Sequence, residues 1–138
     1  MTTVLSTSHL EDHSGGNLAL RKAFPNVRVL GFDKRISGLT HLLRPNELIP
    51  VGQQRVRALF TPGVTLGSGV FHVLSARRLG FSNSPTRNPH SVLFSGDTLS
   101  VGGCGRFVEN GSERDMYNNL VLQIGALPGD TDIFCSHE

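Results

Sequence analysis

The chain has 138 residues, a formal net charge of +2 at neutral pH and two cysteines. Hydrophobic residues make up 38% of it and charged residues 17%, a balance that describes one globular domain over residues 1–138 and excludes a disordered chain. The small charge, with no basic cluster beyond Arg77-Arg78, argues against a nucleic-acid partner, and no apolar run approaches the ~20 residues of a membrane span.

The opening TTVLS (2–6) reads as a short strand. It has no basic start and no apolar signal core, which predicts no secretion signal and a cytoplasmic chain, with a mitochondrial location open for a longer form. The polar run TSHLEDHSGG (7–16) reads as a loop, and NLALRKAF (17–24) as a short helix stopped by Pro25. VRVLGF (27–32) is a strand. The next twenty residues, 33–52, form a long connection with one small strand near Leu48.

QQRVRALFTPG (53–63) alternates: Val56, Ala58 and Phe60 point one way, and Arg55, Arg57 and Leu59 the other, so one face is expected to be buried. GSGVFHVLS (67–75) and VLFSGD (92–97) are further strands. ARRLGFSNSPTRNPHS (76–91), between them, has the Gly, Ser, Asn and Pro content of an exposed loop. Ser112-Glu-Arg-Asp115 has the pattern of a capping box, and the helix after it is expected to bury Tyr117, Leu120, Val121 and Ile124. TDIFCSHE (131–138) is a last strand. Cys104 and Cys135 are too few for a disulfide framework and read as reduced, packed thiols. Strands and helices in this order give an α/β fold whose helices cover the outside of sheet layers.

Three strands stop at residues able to bind a metal: TTVLS before Asp12-His13, VLFSG before Asp97, and DIFCS before His137. Strand ends on one rim are where polar groups from distant sequence converge. Two carboxylates and two imidazoles suit zinc, with iron or manganese also served by such ligands. Zinc lowers the pKa of a water it holds to ~7, which permits attack on a carbonyl.

The segments TTVLSTSHLEDHSGGN, DKRISGLTH, VRALFTPGVTLG, LFSGDTLSVGGCGRF and FCSHE together resemble glyoxalase II, hydroxyacylglutathione hydrolase, a family of the metallo-β-lactamase fold. The resemblance implies an αββα sandwich. This chain would supply part of it, without the family's opening strands and C-terminal helical domain. It also implies zinc-dependent hydrolysis of S-2-hydroxyacylglutathione to a 2-hydroxy acid and glutathione.

The family's His-x-His-x-Asp-His run falls on Ser8, Leu10, Asp12 and His13, and the histidine of its Thr-Pro-x-His-Thr turn falls on Val64. Its bridging aspartate is Asp97, and the histidine of its closing Gly-His-Glu run is His137. One metal position has therefore lost its imidazoles, at Ser8, Leu10 and Val64. The other keeps Asp12, His13, Asp97 and His137, so one ion at most is expected. His9 should point away from Ser8 and Leu10 along an extended segment, and His41, His72 and His90 match no ligand position.

The family's Lys and Tyr toward glutathione fall on Arg106 and Val108. These departures imply impaired or lost hydrolysis. The alternatives are a non-catalytic protein that binds metal, a glutathione conjugate or a protein partner, or a degenerate partial gene product.

Overall fold

The computed structural model describes residues 1–74 and 91–137. Arg77-Arg78, most of the expected loop 76–91 and His90 lie outside the described residues. Two sheets form. β1 (Thr3–Leu5), β2 (Arg28–Gly31) and β3 (His41–Leu42) make a parallel three-stranded sheet in that order. β4 (Leu48–Val51), β5 (Gln54–Phe60), β6 (Gly69–Leu74), β7 (Val92–Gly96) and β8 (Asp132–Cys135) make the second, antiparallel except for the parallel β7–β8 pair.

The connection 33–52 therefore holds two strands where the sequence predicts one. β3 has only two residues, too few for a period-2 pattern to register. β4 and β5 join through a two-residue turn with Gly52 at φ 59°, the conformation glycine supplies at the first central position of a tight hairpin.

The main core lies between the sheets. Leu30 of β2 packs with Ile49 of β4, Val56 and Ala58 of β5, and Phe71 of β6. The alternation of β5 is correct, but burial is not confined to one face. Leu59 points to the other side, where Val70, Leu93 and Ile124 form a second cluster.

A helix covers that side. Its first turn, α3 (Glu113–Tyr117), is capped by Ser112, whose hydroxyl accepts from the Asp115 backbone N–H at 3.1 Å. It then widens into a π-helical stretch, Asn118–Ile124, closed by the i→i+5 bond from Gly125 N to Leu120 O. Of the expected stripe, Ile124 is buried and Leu120 packs partly buried against the second cluster, whereas Tyr117 and Val121 are exposed and Met116 and Asn119 are buried in their place. Parallel strands need a crossover, and this helix provides it between β7 and β8. The segment with α1 (Glu11–Ser14) and α2 (Asn17–Ala23) does the same between β1 and β2. The carboxyl ends of β7 and β8 thus reach one rim.

Candidate metal centre

Asp12 and His13 lie on α1, one helical turn rather than the open loop that the polar sequence predicts. The turn closes because the N–H groups of His13 and Ser14 both reach the Leu10 carbonyl. The Ser14 hydroxyl adds a bond to the His9 carbonyl at 2.9 Å. Asp97 follows Gly96, which ends β7 at φ 50°. A Cβ there would approach the Thr7 side chain to 2.8 Å, so glycine is needed both for the backbone turn and for the close approach. His137 follows Ser136, just past β8.

These elements bring together four side chains from widely separated sequence. His13 Nε2 lies 3.1 Å from Asp97 Oδ2 and 3.6 Å from Asp12 Oδ2. His137 Nε2 lies 3.7 Å from Asp12 Oδ2 and 3.6 Å from Asp97 Oδ1. One donor atom each from Asp12, His13 and His137 fall within 4.8 Å of one another, a spacing at which a single ion can be shared. His13 is nearly buried, whereas Asp12 and His137 face solvent. Among the described residues, the only basic partners of Asp12 and Asp97 are these imidazoles. A donor set of two nitrogens and two carboxylates, with its negative charge unpaired by Lys or Arg, fits a divalent cation.

Two further residues touch this set and have no signal in the sequence beyond a hydroxyl near a ligand position. Thr7 Oγ1 lies 3.1 Å from His13 Nδ1. The Ser136 hydroxyl donates to Asp97 Oδ1.

The site opens into a cleft of about 380 Å³. Asp12, Asp97 and His137 line it, and so do Leu10, Val64 and Val108, which make an apolar wall. Val64 is held by its carbonyl, which accepts from Val108 N at 2.8 Å. Ser8 is buried, its hydroxyl accepting from Leu10 N at 3.3 Å. Arg106 lines the cleft and is exposed. Cys104 also lines it and is exposed rather than packed.

His9 turns to a separate ionic cluster, with Nδ1 3.4 Å from Asp33 and Nε2 3.8 Å from Glu109. Arg35 binds both of these carboxylates. Its guanidinium holds the Asp33 and Glu109 carboxyls below their ordinary values, with help at Glu109 from the Leu66 N–H, and Arg35 itself is raised. His41 is exposed on β3 and pairs with Glu47 at 2.6 Å. His72 is buried on β6, with neither ring nitrogen hydrogen-bonded.

No family profile matches the chain. A hydroxyacylglutathione hydrolase-like protein of Gallus gallus is 44% identical over the whole chain, which covers 45% of that protein. A hydroxyacylglutathione hydrolase of Dictyostelium discoideum is 36% identical over the whole chain, which covers 48% of it. The chain thus spans less than half the length of these relatives. Among solved structures, ETHE1 from Myxococcus xanthus superposes over 99% of this chain and 54% of its own, with a TM-score of 0.79 and 27% identity. A metallo-beta-lactamase from Staphylococcus aureus superposes over 99% of this chain and 41% of its own, with a TM-score of 0.73 and 25% identity. Over its whole length, therefore, this chain is similar to part of the hydroxyacylglutathione hydrolase-like proteins, and it carries part of the metallo-β-lactamase fold.

Proposed function

We propose that Asp12, His13, Asp97 and His137 hold one zinc ion, and that the reaction served is hydrolysis of the thioester of an S-2-hydroxyacylglutathione in the cytoplasm. The observation that carries this reading is the meeting of four donor side chains from α1 and from the ends of β7 and β8, at contacts of 3.1–3.7 Å. Two carboxylates balance a dication, and two imidazoles complete a nitrogen and oxygen set suited to zinc; iron and manganese are served by the same ligands. When bound, such an ion supplies Lewis acidity and a water acidic enough to react at neutral pH.

The residues around it divide the remaining work. Arg106 offers a fixed cation to a carboxylate of the glutathione portion. Leu10, Val64 and Val108 keep water from one side of the reacting carbonyl. With one ion instead of two, stabilisation of developing negative charge is weaker, so turnover is slow.

The test is the metal content of the purified chain, followed by thiol release from S-D-lactoylglutathione. One zinc per chain, with chelator-sensitive release that is lost in Asp97→Ala, supports the reading. A folded chain that takes up no zinc defeats it. A second reading, binding without turnover, is favoured by the apolar pair Leu10 and Val64 beside the candidate ligands. It predicts calorimetric uptake of zinc and of S-hexylglutathione with no thiol release.

A further inference from the structure

Thr7 and Ser136 match no ligand position of the metal centre. Both hydroxyls nevertheless end a continuous chain of polar contacts. Thr7 Oγ1 meets His13 Nδ1 at 3.1 Å, and His13 Nε2 meets Asp97 Oδ2 at 3.1 Å. Asp97 Oδ1 then accepts from the Ser136 hydroxyl. The chain joins the loop after β1 to the ends of β7 and β8.

We propose that Thr7 and Ser136 are positioning residues that hold His13 and Asp97 from behind for a single ion; this rests on the metal-binding reading above. A carboxylate has two oxygens to satisfy. Here Leu10 and Val64, beside Asp97, offer no ligand for a second ion. The Ser136 hydroxyl gives one Asp97 oxygen a donor within the protein and leaves the other turned to His13.

Thr7 acts on the imidazole in the same way. A hydroxyl both donates and accepts, so Thr7 serves either neutral tautomer of His13. With Nδ1 carrying the proton, Thr7 accepts it and Nε2 presents a lone pair to an ion. With Nε2 carrying it, the ring donates to Asp97 and Thr7 donates to Nδ1. Thr7 is itself held: its carbonyl accepts from Gly69 N at 2.9 Å, and its side chain lies against Gly96. Bonds of this kind fix the direction of a ligand, and losing one typically costs 10–100-fold in metal affinity.

The experiment is titration of the full chain with zinc and with cobalt(II), the second read by its visible absorption. The variants are Ser136→Ala, Ser136→Thr, Thr7→Val and Thr7→Ser, each checked by thermal unfolding. Ser136 is exposed, so losing its hydroxyl leaves the fold standing. Zinc affinity is expected to fall roughly 10–100-fold in Ser136→Ala and Thr7→Val, with an altered cobalt spectrum. Ser136→Thr and Thr7→Ser should retain both. Wild-type affinity and an unchanged spectrum in Ser136→Ala and Thr7→Val overturn the proposal and leave the metal reading intact. A wild-type chain that takes up neither metal overturns both.

Discussion

Arg35 grips Glu109 across 74 positions of sequence, its Nη1 bonded to Oε1 and its Nη2 lying 3.1 Å from Oε2. The same guanidinium binds Asp33, which also accepts from the Arg35 backbone N–H at 2.9 Å. Glu109 in turn accepts from Leu66 N. One cation thus ties Asp33, just after β2, to Glu109 and through it to the Leu66 backbone. Asp33→Ala should lower unfolding free energy by about 2 kcal/mol, the scale of hydrogen bonds to a charged group. Urea unfolding at neutral pH measures it.

The same cluster sets an acid limit. The Asp33 and Glu109 carboxyls are depressed in the folded chain, chiefly by the Arg35 side chain. Between the unfolded and folded pKa values the unfolded state binds more protons, so stability falls as pH drops. This contribution is whole above about pH 4.5, the ordinary glutamate value, and is lost below it as the folded carboxyls protonate. Urea midpoints at pH 6 and pH 3.5 should differ less in Asp33→Ala than in the wild type.

His72 acts earlier on the pH scale. Its ring is buried with both nitrogens unpartnered, opposite Arg57 on β5 and Leu93 on β7. Burial, then the charge of Arg57, holds its pKa below the ordinary value of 6.5. Between that value and the lower folded one, the unfolded chain takes the proton and stability declines with falling pH. His72→Phe should gain about 1 kcal/mol at pH 6 by removing the orphaned nitrogens. Its stability should also vary less than the wild type's between pH 7 and 5. An unchanged pH slope, followed by urea unfolding, would show that His72 is satisfied in solution.

Much of the site could be read in the sequence because its parts are short and local. Asp12-His13, Asp97 and His137 each follow a strand that its apolar residues announce, and parallel crossovers bring such ends to one rim. What could not be read depends on contacts between elements. Thr7 and Ser136 are ordinary hydroxyls until the folded chain sets them beside His13 and Asp97. Leu59 is buried because a helix packs on its face, a fact absent from the strand's own alternation. A 3.6-residue period places Val121 inward, and that period fails where hydrogen bonding becomes i→i+5.

Gly96 offers a test of how the two sheets jointly aim the ligands. At φ 50° an alanine is strained by about 1–2 kcal/mol, and its Cβ would press on Thr7. Gly96→Ala should therefore lower thermal stability and weaken zinc binding together, since Asp97 follows it and Thr7 touches His13. A variant that loses stability but keeps wild-type zinc affinity by calorimetry would show that ligand aim is independent of this turn.

The apolar side of the cleft permits a constructive experiment. Leu10 and Val64 both line it next to Asp97, and Ser8 is buried two residues before Leu10. If these three positions are a second ion site that has lost its imidazoles, then Ser8→His, Leu10→His and Val64→His combined should raise zinc content from one to two per chain. Enlarging the buried Ser8 and Val64 should cost about 1–3 kcal/mol without metal. Zinc at a hundred times its dissociation constant restores about 2.7 kcal/mol, so the melting temperature of the triple variant should depend steeply on zinc concentration. Elemental analysis beside melting curves at several zinc concentrations reads both effects. A triple variant that folds and still holds a single zinc would mean that the walls around Leu10 and Val64 have closed too far for an ion, and that their apolar character is now part of the packing.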